Sequence, residues 1–300
     1  MDLKQLEYIV EIAKERNITK AARNLSITQS ALTQQLKKLE QELETPIFFR
    51  ARNNWQLTPT GEIYIRKATE ILRIKKDAYA MIYDEIKSQR GTLSVGFSPG
   101  RGVNMFANIY PDFHMYNPQI KVTPYECLVS KQQQLILNGD LDIGFVSLRE
   151  NQMLPGLRYT KLYTEDILLI TPANHPKLSE FSSPLDLHMF RDESFVLISK
   201  DSSMRPIVDE LFKDAGFSPN VLFETNQNIT ILTMVQNSVC CAIIGKYYLI
   251  NPIPNICAFE IAQHPSWNHY ACYRSNSYLS EPAKKFLEGA QKYWTDISSA

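Results

Sequence analysis

Residues Thr19 to Leu43, TKAARNLSITQSALTQQLKKLEQEL, decide the reading of the chain. Leu32, Leu36, Leu39 and Leu43 recur at spacings of four, three and four, which gathers them into one stripe on a helix face. The leading end and opposite face carry Thr28, Gln29, Ser30, Thr33, Gln34 and Lys37, side chains that reach base edges and phosphates. Thr28 stands where it caps that helix. A shorter helix precedes it from about Thr19 to Leu25, and its Ala21-Ala22 pair lets two helices approach closely. A short packing helix, a polar turn and a second helix with a polar lead are the parts of a helix-turn-helix. An amphipathic helix pair in a plain bundle has the same pattern, so the flanking sequence has to discriminate.

It does. Leu43 to Gly61, LETPIFFRARNNWQLTPTG, has two short apolar runs around Asn53-Asn54, with Arg50 and Arg52 beside the turn. That is the pattern of a β-hairpin wing with cations placed for phosphates or the minor groove. The run Ala21-Ala22, Gln29-Ser30-Ala31-Leu32, Lys38-Leu39-Glu40, Pro46-Ile47-Phe48-Phe49-Arg50, Leu57-Thr58 and Gly61 resembles the N-terminal domain of LysR-type transcriptional regulators. Members of that family frequently carry Pro at position 30 and Arg at position 34. Ser30 and Gln34 here imply a different base preference.

Between Glu62 and Arg90 there is no Gly or Pro, and Pro59 to about Lys87 reads as one long helix. Ile65, Ala68, Leu72, Lys75, Tyr79, Ile82 and Ile86 alternate by three and four along it, a seam suited to a second copy of the chain. The family resemblance implies the same use: a homodimer through the linker helix, and a homotetramer through further contacts.

After Arg90-Gly91 the pattern changes to short apolar strands alternating with helices, which means an α/β sheet. Expected strands are 92–97, 121–127, 143–146, 167–171, 195–198 and 241–244. Expected helices are 103–117, 131–138, 204–215, 227–236 and 281–295. Gly91-Thr92-Leu93-Ser94-Val95-Gly96, Tyr110-Pro111-Asp112-Phe113 with Asn117-Pro118, and Gly139-Asp140-Leu141-Asp142-Ile143-Gly144 resemble the effector domain of the same family. The fold expected is therefore α/β: an N-terminal winged helix-turn-helix (1–60), a long linker helix (61–90) and a C-terminal two-lobed, periplasmic-binding-protein-like effector domain (91–300). Lobe I is expected at 91–162 and 268–300, and lobe II at 163–267. One departure concerns a late strand. Ser238 and Cys240 stand where the family often has glycine, and Gly245 where it has proline, which leaves open whether the backbone takes φ > 0 there.

Loops at the carboxyl ends of the strands, leading into helices, offer free N–H groups and hydroxyls. Ser98, Pro99, Gly100 and Arg101 follow the first strand, Ser130 the second and Ser147 the third. Ser202, Ser203 and Gln227 precede helices of lobe II. This set suits a small anion such as a carboxylate. Gly96-Phe97-Ser98-Pro99-Gly100 also matches the G-x-S-x-G nucleophile elbow of hydrolases. An elbow needs the backbone N–H after the serine for its oxyanion hole, and Pro99 has none. No enzymatic activity, metal site or cofactor is expected.

Composition sets the outer limits. A net charge of +0 with 21% charged and 44% hydrophobic residues excludes a basic nucleic-acid coat and fits an ordinary folded protein. Residues 1–90 hold 16 Lys and Arg against 12 Asp and Glu, a balance of +4; the remainder holds 16 against 20, a balance of −4. A DNA-binding end on an acidic body has that asymmetry. Cys127, Cys240, Cys241, Cys257 and Cys272 show no CxxC spacing and read as reduced thiols rather than disulfides or zinc ligands. His114, His175, His188, His264 and His269 form no i, i+4 pair. No signal peptide or membrane span is apparent, so the expected location is cytoplasmic. The partners expected are double-stranded DNA, a small-molecule effector and the chain itself, with RNA polymerase a candidate and no membrane.

Overall fold

The computed structural model describes residues 2–51, 54–86 and 90–298. The chain divides into two compact units at 86/87.

The first unit is a winged helix-turn-helix followed by a long helix. Each helix starts on a side-chain cap. Asp2 caps α1 (Leu3–Glu15), Asn17 caps α2 (Ile18–Asn24), Thr28 caps α3 (Gln29–Glu42) and Thr58 caps α4 (Pro59–Glu85). Between α2 and α3, Ser26 takes a left-handed conformation at φ 55. Strands β1 (Phe48–Ala51) and β2 (Asn54–Leu57) pair antiparallel as the wing. Ile9, Ile12, Ala21, Leu32, Leu36, Leu39 and Ile47 close the core. The small Ala21 and Ala22 let α2 seat against α3, as their size suggests. Leu43 does not join the stripe: it lies past the end of α3 and is exposed. Thr58 has a second task beyond its cap, donating its hydroxyl to the Pro46 carbonyl at 2.7 Å. Gly61 is small for a stated reason, since a Cβ there would lie 2.1 Å from the Ile47 carbonyl oxygen.

Helix α4 corrects one expectation. Its Lys75 does not interrupt an intermolecular seam; it pairs with Glu7 of α1 at 2.9 Å, and Ala68 is buried within the unit. The face through Ile65, Ala68 and Lys75 is turned towards the chain's own winged domain. The later part of the expected seam, Tyr79, Ile82 and Ile86, is exposed, and Ile63, Ile71, Ile74 and Met81 extend the exposed apolar surface beside it.

The second unit has two lobes built on one shared sheet. In lobe I, β3 (Gly91–Phe97), α5 (Arg101–Tyr116), β4 (Ile120–Glu126), α6 (Val129–Asn138) and β5 (Ile143–Leu148) form a parallel βαβαβ array with β3 in the centre. Strand β6 (Leu157–Pro172) then runs without a break from lobe I into lobe II. Lobe II adds β7 (Ser194–Ile198), α7 (Arg205–Asp214), β8 (Asn220–Thr225), α8 (Asn228–Gln236), β9 (Ala242–Gly245) and β10 (Ile256–Glu260). The chain returns on β11 (Ser266–Arg274) and ends in α9 (Glu281–Ser298), which packs on α5.

The sheet order is β10-β6-β11-β5-β3-β4, with β9 also on β6. Up to Asp166, β6 pairs with β11; from Ile167 it pairs with β9 and β10. The change of strand partners falls at 166/167 along β6, and the return strand β11 begins at Ser266. Lobe I closes around Leu93, Val95, Phe145 and Phe286, and lobe II around Phe190, Phe195, Val196 and Ile244. Ser238 takes φ 58 although it is not glycine, and Cys240 does not. Gly245 is explained by a side chain: a Cβ there would lie 2.3 Å from Glu165 Oε1. Among the described residues, no helix is long and apolar enough to cross a membrane.

Candidate functional site

Two surfaces carry the chemistry. The first is the leading face of α3. Thr28, Gln29, Ser30, Gln34 and Lys37 are exposed there, while Leu32, Leu36 and Leu39 are fully buried on the opposite side. Local hydrogen bonds hold part of the set. Thr28 accepts from Ala31 N–H at 3.2 Å, and its hydroxyl lies 3.0 Å from that of Ser30. Thr19 donates to Gln29 Oε1 at 2.9 Å, which fixes the amide at the helix start. Thr33 is half-buried and donates to the Gln29 carbonyl at 2.8 Å, so it is less available than its neighbours. Arg52, and the side chain of Arg50, lie outside the described residues.

The second is a narrow cleft between the lobes, with a cavity volume of about 60 Å³ and partly open to solvent. Ser98, Pro99, Arg101 and Ser147 line it from lobe I, and Ser202 and Ser203 from lobe II. Three expected residues do not line it. Gly100 is exposed, with the Tyr248 hydroxyl 2.6 Å from where a Cβ would stand, and Ser130 and Gln227 are exposed at the second residue of α6 and the cap of α8. The lining also includes Asp201, Asn226, Asn228, Tyr248 and Trp267. The loops before α5, α6, α7 and α8 all contribute to it. These four helices have no side-chain cap, in contrast to α1 to α4. The positive ends of their dipoles face one space, although the first N–H of α5 donates to the Tyr248 hydroxyl and those of Met204 and Arg205 at α7 donate to Ser202.

Neither Arg101, which lines that space, nor Arg205, the first residue of α7, is free of partners. Arg101 is buried and its Nη1 pairs with Glu165 Oε2, while its guanidinium lies over Trp267 and Tyr248, 4.7 and 5.1 Å from their ring centres. Arg205 donates to Asp209 at 2.7 Å and to the Ile198 carbonyl at 2.9 Å, and pairs with Glu224 at 2.9 Å. The cleft therefore presents hydroxyls and helix starts rather than a free guanidinium from Arg101 or Arg205.

Beneath the cleft lies a buried polar cluster that motif reading missed. Glu165 of β6 is fully buried and receives Tyr247 N–H at 2.7 Å. His269 of β11 donates Nε2–H to Glu165 Oε2 at 2.9 Å and accepts the Ser147 hydroxyl at Nδ1, 2.5 Å away; the tautomer is assigned from these neighbours. The imidazole lies near-parallel to Tyr163 and Trp294, which also stack with each other. Burial, and then the Arg101 charge 3.0 Å away, hold its pKa well below the ordinary 6.5, so it is neutral. The only sequence signal for this cluster was a carboxylate in a strand, with its partners about a hundred residues distant.

The comparisons with known proteins place these surfaces in context. The pattern of the bacterial regulatory helix-turn-helix of the lysR family matches residues 3–62, and that of the LysR substrate binding domain matches residues 87–295. The chain belongs to the LysR family of transcriptional regulators. It is 28% identical to the HTH-type transcriptional regulator YcgK of Bacillus subtilis, over 96% of this chain and 93% of that one. It is 25% identical to the Hca operon transcriptional activator HcaR of Escherichia coli, over 82% of each. Among solved structures, a full-length variant of OxyR from Pseudomonas aeruginosa superposes with a TM-score of 0.72 at 23% identity, covering 98% and 94% of the two chains. The effector binding domain of QuiR in complex with shikimate superposes at 0.57 and 20% identity, covering 69% of this chain and 98% of that one.

This LysR-type protein is thus a DNA-binding transcriptional regulator with a substrate-binding domain, and its relatives are regulators, not enzymes. The elbow-like Ser98 agrees: its Oγ accepts from Gln132 Nε2 at 3.2 Å and meets no imidazole. His264, the other downstream histidine, is on the surface beside Glu260.

The neutral His269 gives the regulator a pH-dependent stability. Its folded pKa is depressed, so the unfolded chain binds the proton more readily. The stabilisation is complete above 6.5 and is lost as pH falls from there towards the folded value. Denaturant unfolding of His269→Phe, which keeps the stacking, should show a shallower decline between pH 6.5 and 5 than the unaltered protein. Parallel declines would remove His269 as the cause.

Proposed function

We propose that this regulator reads its operator with Gln29, Ser30, Gln34 and Lys37 of α3, and that a small hydroxylated anion in the interlobe cleft modulates its DNA binding. The wing arginines Arg50 and Arg52 add phosphate or minor-groove contacts. The observation that carries the effector reading is the convergence of four uncapped helix N-termini on the cleft. The Trp267 indole N–H, buried and without a hydrogen-bond partner, supports a ligand acceptor nearby. Asp201 on the rim accepts from a hydroxyl, which favours a hydroxy acid over a bare apolar one. Shikimate, the ligand named for QuiR, has that chemistry. Two lobes joined by crossing strands hinge, and a ligand that touches both favours the closed form.

We further propose that two chains associate through the exposed apolar face of α4, and that such pairs assemble into a tetramer. Self-association sets the distance between recognition helices, and paired half-sites then lie one helical turn apart or a multiple of it. The protein acts in the cytoplasm, with RNA polymerase as its downstream partner.

Three measurements test this. Gln29→Ala should cost about 1–3 kcal/mol at the specific site, with little loss on random DNA. Equal affinities of variant and unaltered protein for both DNAs would exclude Gln29 from base reading. Ser98→Ala should weaken calorimetrically measured binding of a hydroxy acid several-fold, about one neutral hydrogen bond of 0.5–1.5 kcal/mol, and leave effector-free DNA affinity unchanged. An unaltered effector affinity would remove Ser98 from the site. Ile74→Asp combined with Ile82→Asp should yield monomers with a folded effector unit. A persisting dimer in sedimentation would move the interface elsewhere.

A further inference from the structure

A second cluster of chemistry-bearing side chains lies at the opposite end of lobe II from the effector cleft. The cleft takes residues from the carboxyl ends of β7 and β9, at Ile198 and Tyr248. The second cluster sits at their amino ends. Cys241 precedes β9 and is pinned beside β7: its N–H donates to the Ser194 carbonyl at 2.8 Å, and its carbonyl accepts from Val196 at 3.3 Å. Glu193 directly precedes β7, and its N–H donates to the Phe190 carbonyl at 3.0 Å. His175 follows β6, where its N–H donates to the Pro172 carbonyl at 3.1 Å and its ring packs against Phe181 and Phe190. Three segments far apart in sequence thus deliver one imidazole, one carboxylate and one thiol to a single point.

The structure assigns to His175, Glu193 and Cys241 a binding site for one borderline divalent cation of the Zn²⁺ class. The ligand atoms all lie within 4.8 Å of one another. His175 Nε2 and Glu193 Oε1 are 3.3 Å apart. Bonds of about 2.0–2.1 Å at a tetrahedral angle place two such ligands about 3.3–3.4 Å apart, so that edge is already formed. A second observation is independent of the spacing. His175 is over nine-tenths buried, yet its Nε2 has no hydrogen-bond partner, because the nearby carboxylate is out of line for one. Buried imidazole nitrogens are normally satisfied, and this one faces the point where a cation would sit.

The donor set selects the cation. Mixed nitrogen, sulfur and oxygen ligands suit zinc and its first-row neighbours and exclude magnesium and calcium, which require oxygen throughout. Three protein ligands leave a fourth position for water. A hollow bounded by Asn174, Pro176, Asp192 and Val239 opens the cluster to solvent and supplies the entry path. Binding releases the Cys241 thiol proton to solvent as the thiolate coordinates. The Lys177 N–H lies 3.2 Å from His175 Nδ1. When Nε2 takes the metal, Nδ1 carries the ring proton, and that long neutral contact opens in exchange for a metal bond. The ion ties the ends of β6, β7 and β9 together and so stiffens lobe II.

The test uses the untagged full-length protein after exhaustive chelation. Zn²⁺ titrated against a chromophoric chelator should bind at one equivalent per chain. Co²⁺ in its place should give a thiolate-to-cobalt charge-transfer band in the near ultraviolet. Cys241→Ser should abolish that band, and His175→Ala should weaken binding by more than about tenfold, the least that loss of a mere supporting contact costs at metal sites. Cys240→Ser and Cys127→Ser should leave both readouts unchanged. Absence of stoichiometric binding, or of the cobalt band, in the unaltered protein would overturn the site without requiring any variant to fold. Equal binding by Cys241→Ser and the unaltered protein would overturn it as well. Because the cation is titrated without effector or DNA, failure here leaves the cleft reading untouched.

Discussion

The second unit depends on one buried carboxylate. Glu165 has no solvent contact, and its charge is met by Arg101 from lobe I, the His269 N–H from the returning strand, and the Tyr247 N–H just past β9. It sits one residue before Asp166, where β6 changes partners between the lobes. A buried ion is costly unless paired and fully hydrogen-bonded, and removing one partner from such a set typically costs about 3–5 kcal/mol. The surrounding sequence accommodates it: Gly245 has no side chain because the carboxylate occupies that volume. Arg101 further rests on Trp267 and Tyr248, which spreads its charge over aromatic faces.

That pairing also determines what the cleft presents to a ligand. With Arg101 held by Glu165, Arg205 by Asp209 and Glu224, and Arg149 on the rim by Glu210, these cationic side chains near the opening are already paired. Positive potential remains as the partial charges of four helix ends. Such dipoles are fixed, and they reorganise little when an anion arrives. A free arginine would bind many anions strongly. Oriented N–H groups and hydroxyls reward only a molecule whose acceptors match their positions, which suits a sensor that must separate related metabolites.

How much of this was legible in the sequence varied with the range of the interaction. Leu32, Leu36 and Leu39 announced α3 because a period of 3.6 residues is local information, and Thr28 announced its start. Strands with a continuous apolar run, such as Ile143–Leu148 and Ser194–Ile198, were legible for the same reason. The first half of β6, LRYTKLYTED, was not, because its polar residues break the run. Strand β8 is exposed along nearly its whole length, and β11 mixes aromatic and polar residues on both faces. The heptad pattern of α4 was real, but its first part, through Ile65, Ala68 and Lys75, faces the chain's own winged domain, while Tyr79, Ile82 and Ile86 are exposed. Nothing local reveals that Lys75 meets Glu7. Glu165 and His269 were invisible as a pair because their strands meet only through the sheet, and Ser98, though well placed, matched a motif whose chemistry it does not perform.

The contacts across the cleft are weak enough to be switched. Ser203 donates to the Ser147 carbonyl at 2.5 Å, Gln152 to the Ser203 carbonyl at 3.3 Å, and Arg149 meets Glu210 at 2.6 Å on the rim. The exposed ion pair contributes about 0–1 kcal/mol and each neutral hydrogen bond about 0.5–1.5 kcal/mol. Their sum, about 1–4 kcal/mol, is no larger than the roughly 3–5 kcal/mol at stake in one partner of the buried Glu165 cluster. Tyr248 is the intermediate element: its hydroxyl accepts from Arg101 N–H at 3.3 Å and from Asn228 at 2.9 Å, which joins the N-termini of α5 and α8. A ligand seated between those helix ends adds bonds to both lobes only when they are closed. Each 1.4 kcal/mol of that difference shifts the open-to-closed ratio about tenfold. Two or three hydrogen bonds from a ligand that bridged both lobes would therefore suffice to move the population, whereas the same ligand would be powerless against lobes locked by a large apolar interface.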